Sequence, residues 1–185
     1  MEDKKTKILI IPGLGGSGEK HWQSFWLLNY SNSVKVIQEN WDAPKLNIWL
    51  KKLNEEILRL DCPIIIVAHS LSVSLVLHWT NLHNNSNVIG ALLVAPADVD
   101  SPDHTPDVVR SFAPMPTTEL PFPSIVVTSN NDPYININRA KYFAENWKSD
   151  FINIGSKGHI NSESNLENWT EGQLILEQLI KKINF

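Results

Sequence analysis

The chain has 185 residues, of which 42% are hydrophobic and 19% charged, and its net charge is −4. These values fit a single globular domain over residues 1–185, and the scattered lysines and arginines exclude the basic patch of a nucleic-acid-binding protein. No apolar run approaches the ~20 residues of a membrane-spanning helix, so no membrane partner is expected. One cysteine, Cys62, allows no intramolecular disulfide. With a polar N-terminus that has no apolar signal core, this predicts a cytoplasmic protein.

Six segments along the chain are predicted to form strands. Most are apolar throughout instead of alternating, which is typical of strands covered on both faces. In chain order they are residues 8–11, 34–37, 64–68, 89–94, 124–128 and 151–154.

Helical patterns separate these strands. Apolar residues recur at i, i+3 and i+4 from Leu46 to Leu60, with Asp42 and Pro44 marking the start of that helix. Further helices are predicted over residues 71–83, 137–147 and 173–183. The alternation of strand and helix predicts an α/β sandwich with three layers, in which helices cover both faces of a mostly parallel sheet.

A proline-rich stretch, residues 96–123, interrupts the alternation. It is far longer than an ordinary connection between elements and has one short helix predicted near residues 107–112. It could be a surface excursion, or it could form a pocket wall, since it leaves the carboxyl end of a strand where α/β proteins bind ligands.

The third strand runs directly into a helix through Ala68-His69-Ser70-Leu71-Ser72. This pattern matches the nucleophile elbow G-x-S-x-G with both glycines replaced by small residues. A sharp strand-to-helix turn exposes the serine oxygen and places it where helix N–H groups favour developing negative charge. By itself, the motif is equally compatible with Ser70 as an ordinary helix N-cap.

Two later strand ends supply the partners that a nucleophilic serine needs. Asp132 follows the fifth strand and His159 the sixth, so the order Ser, Asp, His is that of α/β-hydrolases. Asp98 and Asp100, after the fourth strand, are weaker candidates for the acid. The oxyanion hole is assigned to the backbone N–H groups of Leu71 and Leu14.

The loop after the first strand also reads Gly13-x-Gly15-x-x-Gly18, a literal dinucleotide fingerprint, and Glu39 follows the second strand. A Rossmann-type dinucleotide-binding oxidoreductase is therefore the alternative function. It gives no reason for Ser70, Asp132 and His159 to stand at strand ends. A non-catalytic binding module on a hydrolase scaffold is a third reading. No His or Cys spacing suggests zinc.

The combined motifs resemble the serine hydrolases related to retinoblastoma-binding protein 9 and bacterial YdeN. The segments that carry the resemblance are Pro12 to Gly18, His21-Trp22, Ala68 to Leu71, Ala95 to Asp98, Pro121-Phe122-Pro123, Ser129 to Tyr134 and Gly158 to Asn161. The resemblance implies a compact α/β-hydrolase domain with no large inserted cap, a sheet in the order 2-1-3-4-5-6, and a triad of Ser70, Asp132 and His159.

The resemblance also sets the functional expectation. We expect a serine hydrolase that cleaves a small ester, thioester or amide through an acyl-enzyme on Ser70, with no cofactor, no metal and no assigned protein partner. His21, Trp22 and Trp41 are suggested as pocket residues. Ser72 is a departure, because relatives usually have glycine there and a Cβ could crowd the elbow.

Overall fold

Six parallel strands form one sheet in the order β2-β1-β3-β4-β5-β6, and this confirms the predicted α/β class and strand order. The computed structural model describes residues 5–83 and 86–183. The strands are β1 (Lys7–Ile11), β2 (Ser33–Lys35), β3 (Ile64–His69), β4 (Val88–Val94), β5 (Ser124–Thr128) and β6 (Asp150–Asn153). Every neighbouring pair is parallel, so the carboxyl ends of all six strands lie at one edge.

Five α-helices of the described part of the chain cover the two faces of the sheet. They are α1 (Trp22–Asn29), α2 (Leu46–Arg59), α3 (Leu71–Leu82), α4 (Ile137–Trp147) and α5 (Thr170–Ile183). One core cluster joins the sheet to α2, α3 and α4, and a second joins its other face to α1 and α5. Successive β1 residues alternate between the two clusters, because side chains of a strand point to opposite faces. The result is the three-layer sandwich predicted from the sequence.

The proline-rich stretch is partly core and partly surface. Its only helical turn is a 3-10 helix, Asp107–Phe112, at the predicted position. Phe112, Met115 and Leu120 are buried in the core cluster that contains α3. Within the described residues this stretch adds no separate domain, in agreement with the expectation of no large cap.

Several element boundaries differ from the prediction by one to three residues, and the largest difference is the start of α5 at Thr170 instead of residue 173. Strand β2 ends at Lys35, although the Val36 N–H still donates to the Ile10 carbonyl. Helix α2 has Lys45 at its N-cap with no side-chain hydrogen bond, so neither Asp42 nor Pro44 caps it. No helix within the described ranges has the length and apolar character that crossing a bilayer requires.

Candidate active site

Three strand ends bring Ser70, His159 and Asp132 into one hydrogen-bonded chain. The Oγ of Ser70 lies 2.7 Å from Nε2 of His159, and Nδ1 of His159 lies 2.9 Å from both carboxylate oxygens of Asp132. All three residues are buried. The Asp132 carboxylate fixes the tautomer with the proton on Nδ1, which leaves Nε2 free to accept the proton of the Ser70 hydroxyl.

Ser70 sits in a strained turn between β3 and α3. Its φ of 59° and ψ of −123° lie outside the regions that non-glycine residues favour, as a nucleophile elbow requires. Its side chain makes no capping hydrogen bond, although it stands at the N-cap position of α3. The ordinary N-cap reading of Ser70 is therefore wrong, because the hydroxyl bonds to His159 instead.

The loops that carry Asp132 and His159 are held to each other by side-chain hydrogen bonds. Asn131 accepts the Gly158 N–H through Oδ1 at 2.8 Å, and Ser129 accepts the Lys157 N–H through Oγ at 2.8 Å. The Tyr134 N–H donates to Oδ1 of Asp132 at 2.9 Å. These bonds orient the carboxylate and the imidazole towards each other before any ligand binds.

His69 holds the backbone of His159 from the other side. Its Nε2 lies 3.0 Å from the His159 carbonyl oxygen, which accepts a hydrogen bond from it. Burial and the nearby imidazoles of His21 and His159 lower the pKa of His69 well below 6.5, so its ring is neutral. The residue before Ser70 thus ties strand β3 to the loop of the predicted base.

The alternative acids have another partner. Arg139 lies 3.3 Å from Oδ2 of Asp98 through Nε and 2.7 Å from Oδ2 of Asp100 through Nη2. Both carboxylates are therefore paired with a guanidinium, and Asp132 alone of these three acids contacts His159.

The two residues predicted to donate to the oxyanion line the same cavity as Ser70. Gly13 packs on the elbow so closely that a Cβ there would come 2.8 Å from the His69 carbonyl oxygen and 2.9 Å from the Ser70 Cβ. This approach explains the first glycine of the fingerprint without a nucleotide. The next residue is Leu14, and both Leu14 and Leu71 line the cavity in front of Ser70.

Ser72 connects these two sides of the site. Its hydroxyl donates to the carbonyl of Pro12, and its side chain is fully buried. This hydrogen bond joins helix α3 to the glycine-rich loop, residues 12–18, which follows β1. Ser72 is one residue after Leu71, and Pro12 is two residues before Leu14. The departure from glycine adds a hydrogen bond that a glycine would lack.

Four further hydrogen bonds, made by Gln23 and Lys35, hold the glycine-rich loop against the sheet. Gln23 donates through Nε2 to the carbonyls of Ile11 and Val67 and accepts the Ser17 hydroxyl at 2.8 Å. Lys35 donates to the Gly16 carbonyl at 2.9 Å, and burial lowers the pKa of its ammonium. The loop therefore has a defined conformation without a ligand. Nothing in the sequence pattern marks Gln23, since two of its partners are backbone carbonyls of β1 and β3 and the third is the Ser17 hydroxyl.

A cavity of about 610 Å³ opens in front of Ser70. Its apolar wall includes Leu14, Leu71, Ala97, Pro106 and Val109, and other parts of its wall include Ser17, His21, Thr105, Tyr134, Asn161, Ser162 and Glu163. The proline-rich stretch thus supplies part of the wall, as one of its two readings predicts. Tyr134 was not singled out from the sequence. Its position two residues after Asp132 was the available signal.

Of the three suggested pocket residues, only His21 lies in the cavity wall. Trp22 is buried in the core below, where its Nε1 donates to the Ile160 carbonyl at 2.8 Å. Trp41 lies behind the loop, where a Cβ on Gly16 would come 2.7 Å from its ring. The suggestion for these two tryptophans is corrected, because the Trp22 ring packs in the core and the Trp41 ring packs against the loop.

Metal-ligating side chains are not clustered in this part of the molecule. Across residues 5–83 and 86–183, no group of three or more His, Cys, Asp or Glu side chains is arranged to hold a metal ion.

Three solved structures are similar to this chain over most of its length. A putative YdeN-like hydrolase from Pectobacterium atrosepticum is 26% identical, with a TM-score of 0.86 over 97% of this chain and 92% of that chain. The ydeN gene product of B. subtilis is 17% identical, with a TM-score of 0.77 over 96% of this chain and 100% of that one. Est1E from Butyrivibrio proteoclasticus, with ferulic acid bound, is 15% identical, with a TM-score of 0.71 over 96% and 91%.

These structures share the α/β-hydrolase fold of the chain. No curated protein sequence matches it. The family model described as serine hydrolase matches residues 8–178, which is most of the chain. The protein therefore belongs to the serine hydrolase family.

Proposed function

We propose that the protein hydrolyses a small ester, thioester or amide through an acyl-enzyme on Ser70. The observation that carries this proposal is the continuous hydrogen-bonded chain from the Ser70 hydroxyl through His159 to Asp132. That chain supplies a nucleophile, a base and an orienting acid at the floor of a cavity.

The reaction follows from the positions of these groups. His159 Nε2 takes the Ser70 proton as Oγ attacks the carbonyl carbon, and the resulting oxyanion faces the N–H groups of Leu14 and Leu71. The imidazolium then gives its proton to the leaving alcohol, thiol or amine, which departs and leaves an acyl-serine. Water, deprotonated by the same imidazole, attacks this ester and releases the acid and the free hydroxyl.

The cavity wall supports a substrate with an apolar portion. Leu14, Pro106 and Val109 belong to the apolar lining of the cavity that contains Ser70. Burial of an apolar substrate portion there contributes roughly 25 cal/mol per Å² of apolar surface. We therefore propose a small molecule with an apolar portion as the substrate.

Labelling with a fluorophosphonate tests the nucleophile directly. We expect the wild-type protein to be labelled and Ser70→Ala to be unlabelled, because the probe forms a bond to the activated Oγ. Ser74→Ala is the matched control, since Ser74 lies in the same helix and its hydroxyl donates to the Phe112 carbonyl at 3.2 Å. Its labelling should persist.

Two outcomes contradict the proposal. A folded wild-type protein that remains unlabelled would favour a non-catalytic module on this scaffold. Labelling that survives in Ser70→Ala would place the nucleophile on another residue.

A further inference from the structure

His21 has one ring nitrogen engaged and the other without a partner. Its Nδ1 accepts the Gln23 N–H at 3.2 Å, which makes His21 the side-chain N-cap of α1. An accepting Nδ1 carries no proton, so the proton of the neutral ring is on Nε2. The hydrogen-bond pattern therefore defines Nε2 as a donor.

That donor is buried and unsatisfied. His21 is only 3% exposed, and its Nε2 has no hydrogen-bond partner among the described residues. A buried polar group without a partner costs free energy, and native structures contain few of them. An acceptor from outside the chain would remove this cost.

The ring lies in the wall of the cavity that contains Ser70. Its centroid is 4.7 Å from the ring centroid of His69, the chain neighbour of Ser70, and the His69 ring is 4.9 Å from that of His159. Because His21 and Ser70 line the same cavity, a molecule whose carbonyl reaches Ser70 can also extend to His21.

The charges around the cavity favour a neutral acceptor. Burial, with the positive charges of protonated His159 and Lys35, lowers the pKa of His21 to about 3, so the ring is uncharged. The described wall contains Glu163 but no lysine or arginine. A buried carboxylate would have no cation to pair with there, whereas an ether, hydroxyl or carbonyl oxygen needs none.

We propose that the His21 Nε2–H binds a neutral oxygen of the substrate, so that the site prefers esters or amides carrying such an oxygen near the scissile bond. This inference rests on the proposed hydrolase function and adds a specificity-determining residue to it. His21 acts in binding and takes no part in the proton transfers between Ser70 and His159.

Asparagine separates the two roles of this histidine. In His21→Asn, the side-chain oxygen can still accept the Gln23 N–H, because asparagine is a favoured N-cap, but no donor occupies the position of Nε2. His21→Ser, also a good N-cap, is a second variant should the first fold poorly. His83→Asn is the matched control outside the cavity wall, since His83 follows α3 and stacks on Trp79.

Matched substrates then report the donor. We compare 4-nitrophenyl butyrate with 4-nitrophenyl methoxyacetate, and butyl acetate with 2-methoxyethyl acetate, because each pair differs by one CH₂ replaced with oxygen. For at least one pair, His21→Asn should lower the ratio of kcat/KM for the oxygen-containing ester over its partner by about 3- to 10-fold, the effect of one neutral hydrogen bond. His83→Asn should leave both ratios at their wild-type values.

The same ratio is measured from the labelling rates of two fluorophosphonates, one with an all-carbon chain and one with an ether oxygen in the chain. Unchanged ratios in folded His21→Asn, with Ser70-dependent labelling intact, would overturn the role of His21 alone. Labelling or hydrolysis that persists in Ser70→Ala would instead overturn the hydrolase proposal. The two failures are thus distinguished within one series.

Discussion

The hydroxyl of Ser72 joins the two backbone segments that the proposed oxyanion needs. In Ser72→Ala, the Pro12 carbonyl loses its donor, and the free energy of unfolding should fall by about 1–3 kcal/mol. Because Leu14 and Leu71 would lose their fixed separation, we expect kcat to fall roughly 10-fold with KM little changed. Steady-state kinetics on a 4-nitrophenyl ester and urea unfolding measure the two effects.

Ser74→Ala is the control for this prediction. It removes another buried serine hydrogen bond from the same helix, to the Phe112 carbonyl, away from the loop. It should lose stability but keep kcat. An equal fall of kcat in both variants would mean that Ser72 acts only through the stability of α3.

Buried neutral histidines make the stability of the fold depend on pH. The pKa of His21 is about 3 in the folded protein against 6.5 for a free histidine, and burial is the main cause. Between these values the unfolded chain binds a proton that the folded chain does not, so stability is complete above pH 6.5 and decreases as pH falls. We expect His21 to contribute a slope of about 1.4 kcal/mol per pH unit.

The slope can be measured by urea unfolding at several pH values between 4 and 7. His21→Asn should reduce the slope by the His21 contribution, whereas the remaining slope from other groups, including His69, should persist. If the two proteins had parallel pH profiles, His21 would not be neutral in the fold.

At the scale of elements, the sequence predicted the strands well because their environment is uniform. Strand β3 is buried along its whole length, and an uninterrupted apolar run is what such a position selects. The edge strand β2 is only half-buried, and its predicted end extended two residues too far. The start of α2 was misassigned to Asp42 and Pro44 because its N-cap, Lys45, has no capping side chain.

The glycine-rich loop is the element whose shape matters most for the site. Gly15 and Gly16 both have positive φ, 76° and 77°. A Cβ on Gly16 would come 2.7 Å from the Trp41 ring, whereas a Cβ on Gly15 would meet nothing within 4 Å. Gly15→Ala therefore adds backbone strain alone, whereas Gly16→Ala adds the same strain and displaces the loop from the indole. We expect kcat to fall several-fold further in Gly16→Ala.

The difference between these two variants isolates the ring contact, since the backbone strain is common to both. Kinetics with a 4-nitrophenyl ester and thermal unfolding are the measurements. Equal activity in the two proteins would show that Trp41 yields to the added methyl and does not support the loop.

For the molecule as a whole, the site was predictable where chain order determines it. Ser70, Asp132 and His159 follow three strands, and a parallel sheet brings such ends to one edge. The choice between Asp98 and Asp132 depends on Arg139, which lies 41 residues from Asp98, and no local pattern reports that pairing. The same holds for the free Nε2 of His21, which only the folded contacts define.

Of the two core clusters on opposite faces of the sheet, the one that contains α1 makes a hydrogen bond to the segment that carries His159. Trp22 donates to the Ile160 carbonyl, directly after His159, whereas Trp49, on the other face of the sheet, donates to the Glu39 carbonyl at 3.1 Å. Trp22→Phe and Trp49→Phe should each lower the unfolding free energy by about 1–3 kcal/mol, because each leaves a carbonyl without its donor.

Only Trp22→Phe should also reduce kcat, since the released carbonyl belongs to the segment that carries His159. Urea unfolding and ester hydrolysis of the two variants, compared at temperatures where both are folded, measure this. A similar loss of kcat in Trp49→Phe would indicate a general loosening of the fold and would contradict the assignment to one face.

Because His159 follows the last strand, β6, it reaches Ser70 late in the folding of the chain. Strand β6 pairs only with β5, at the edge of the sheet. During synthesis from the N-terminus, Ser70 and its turn emerge long before this strand. A nascent or partly folded chain would hold Ser70 without His159, so the proposed hydrolysis could not begin until β6 had paired with β5.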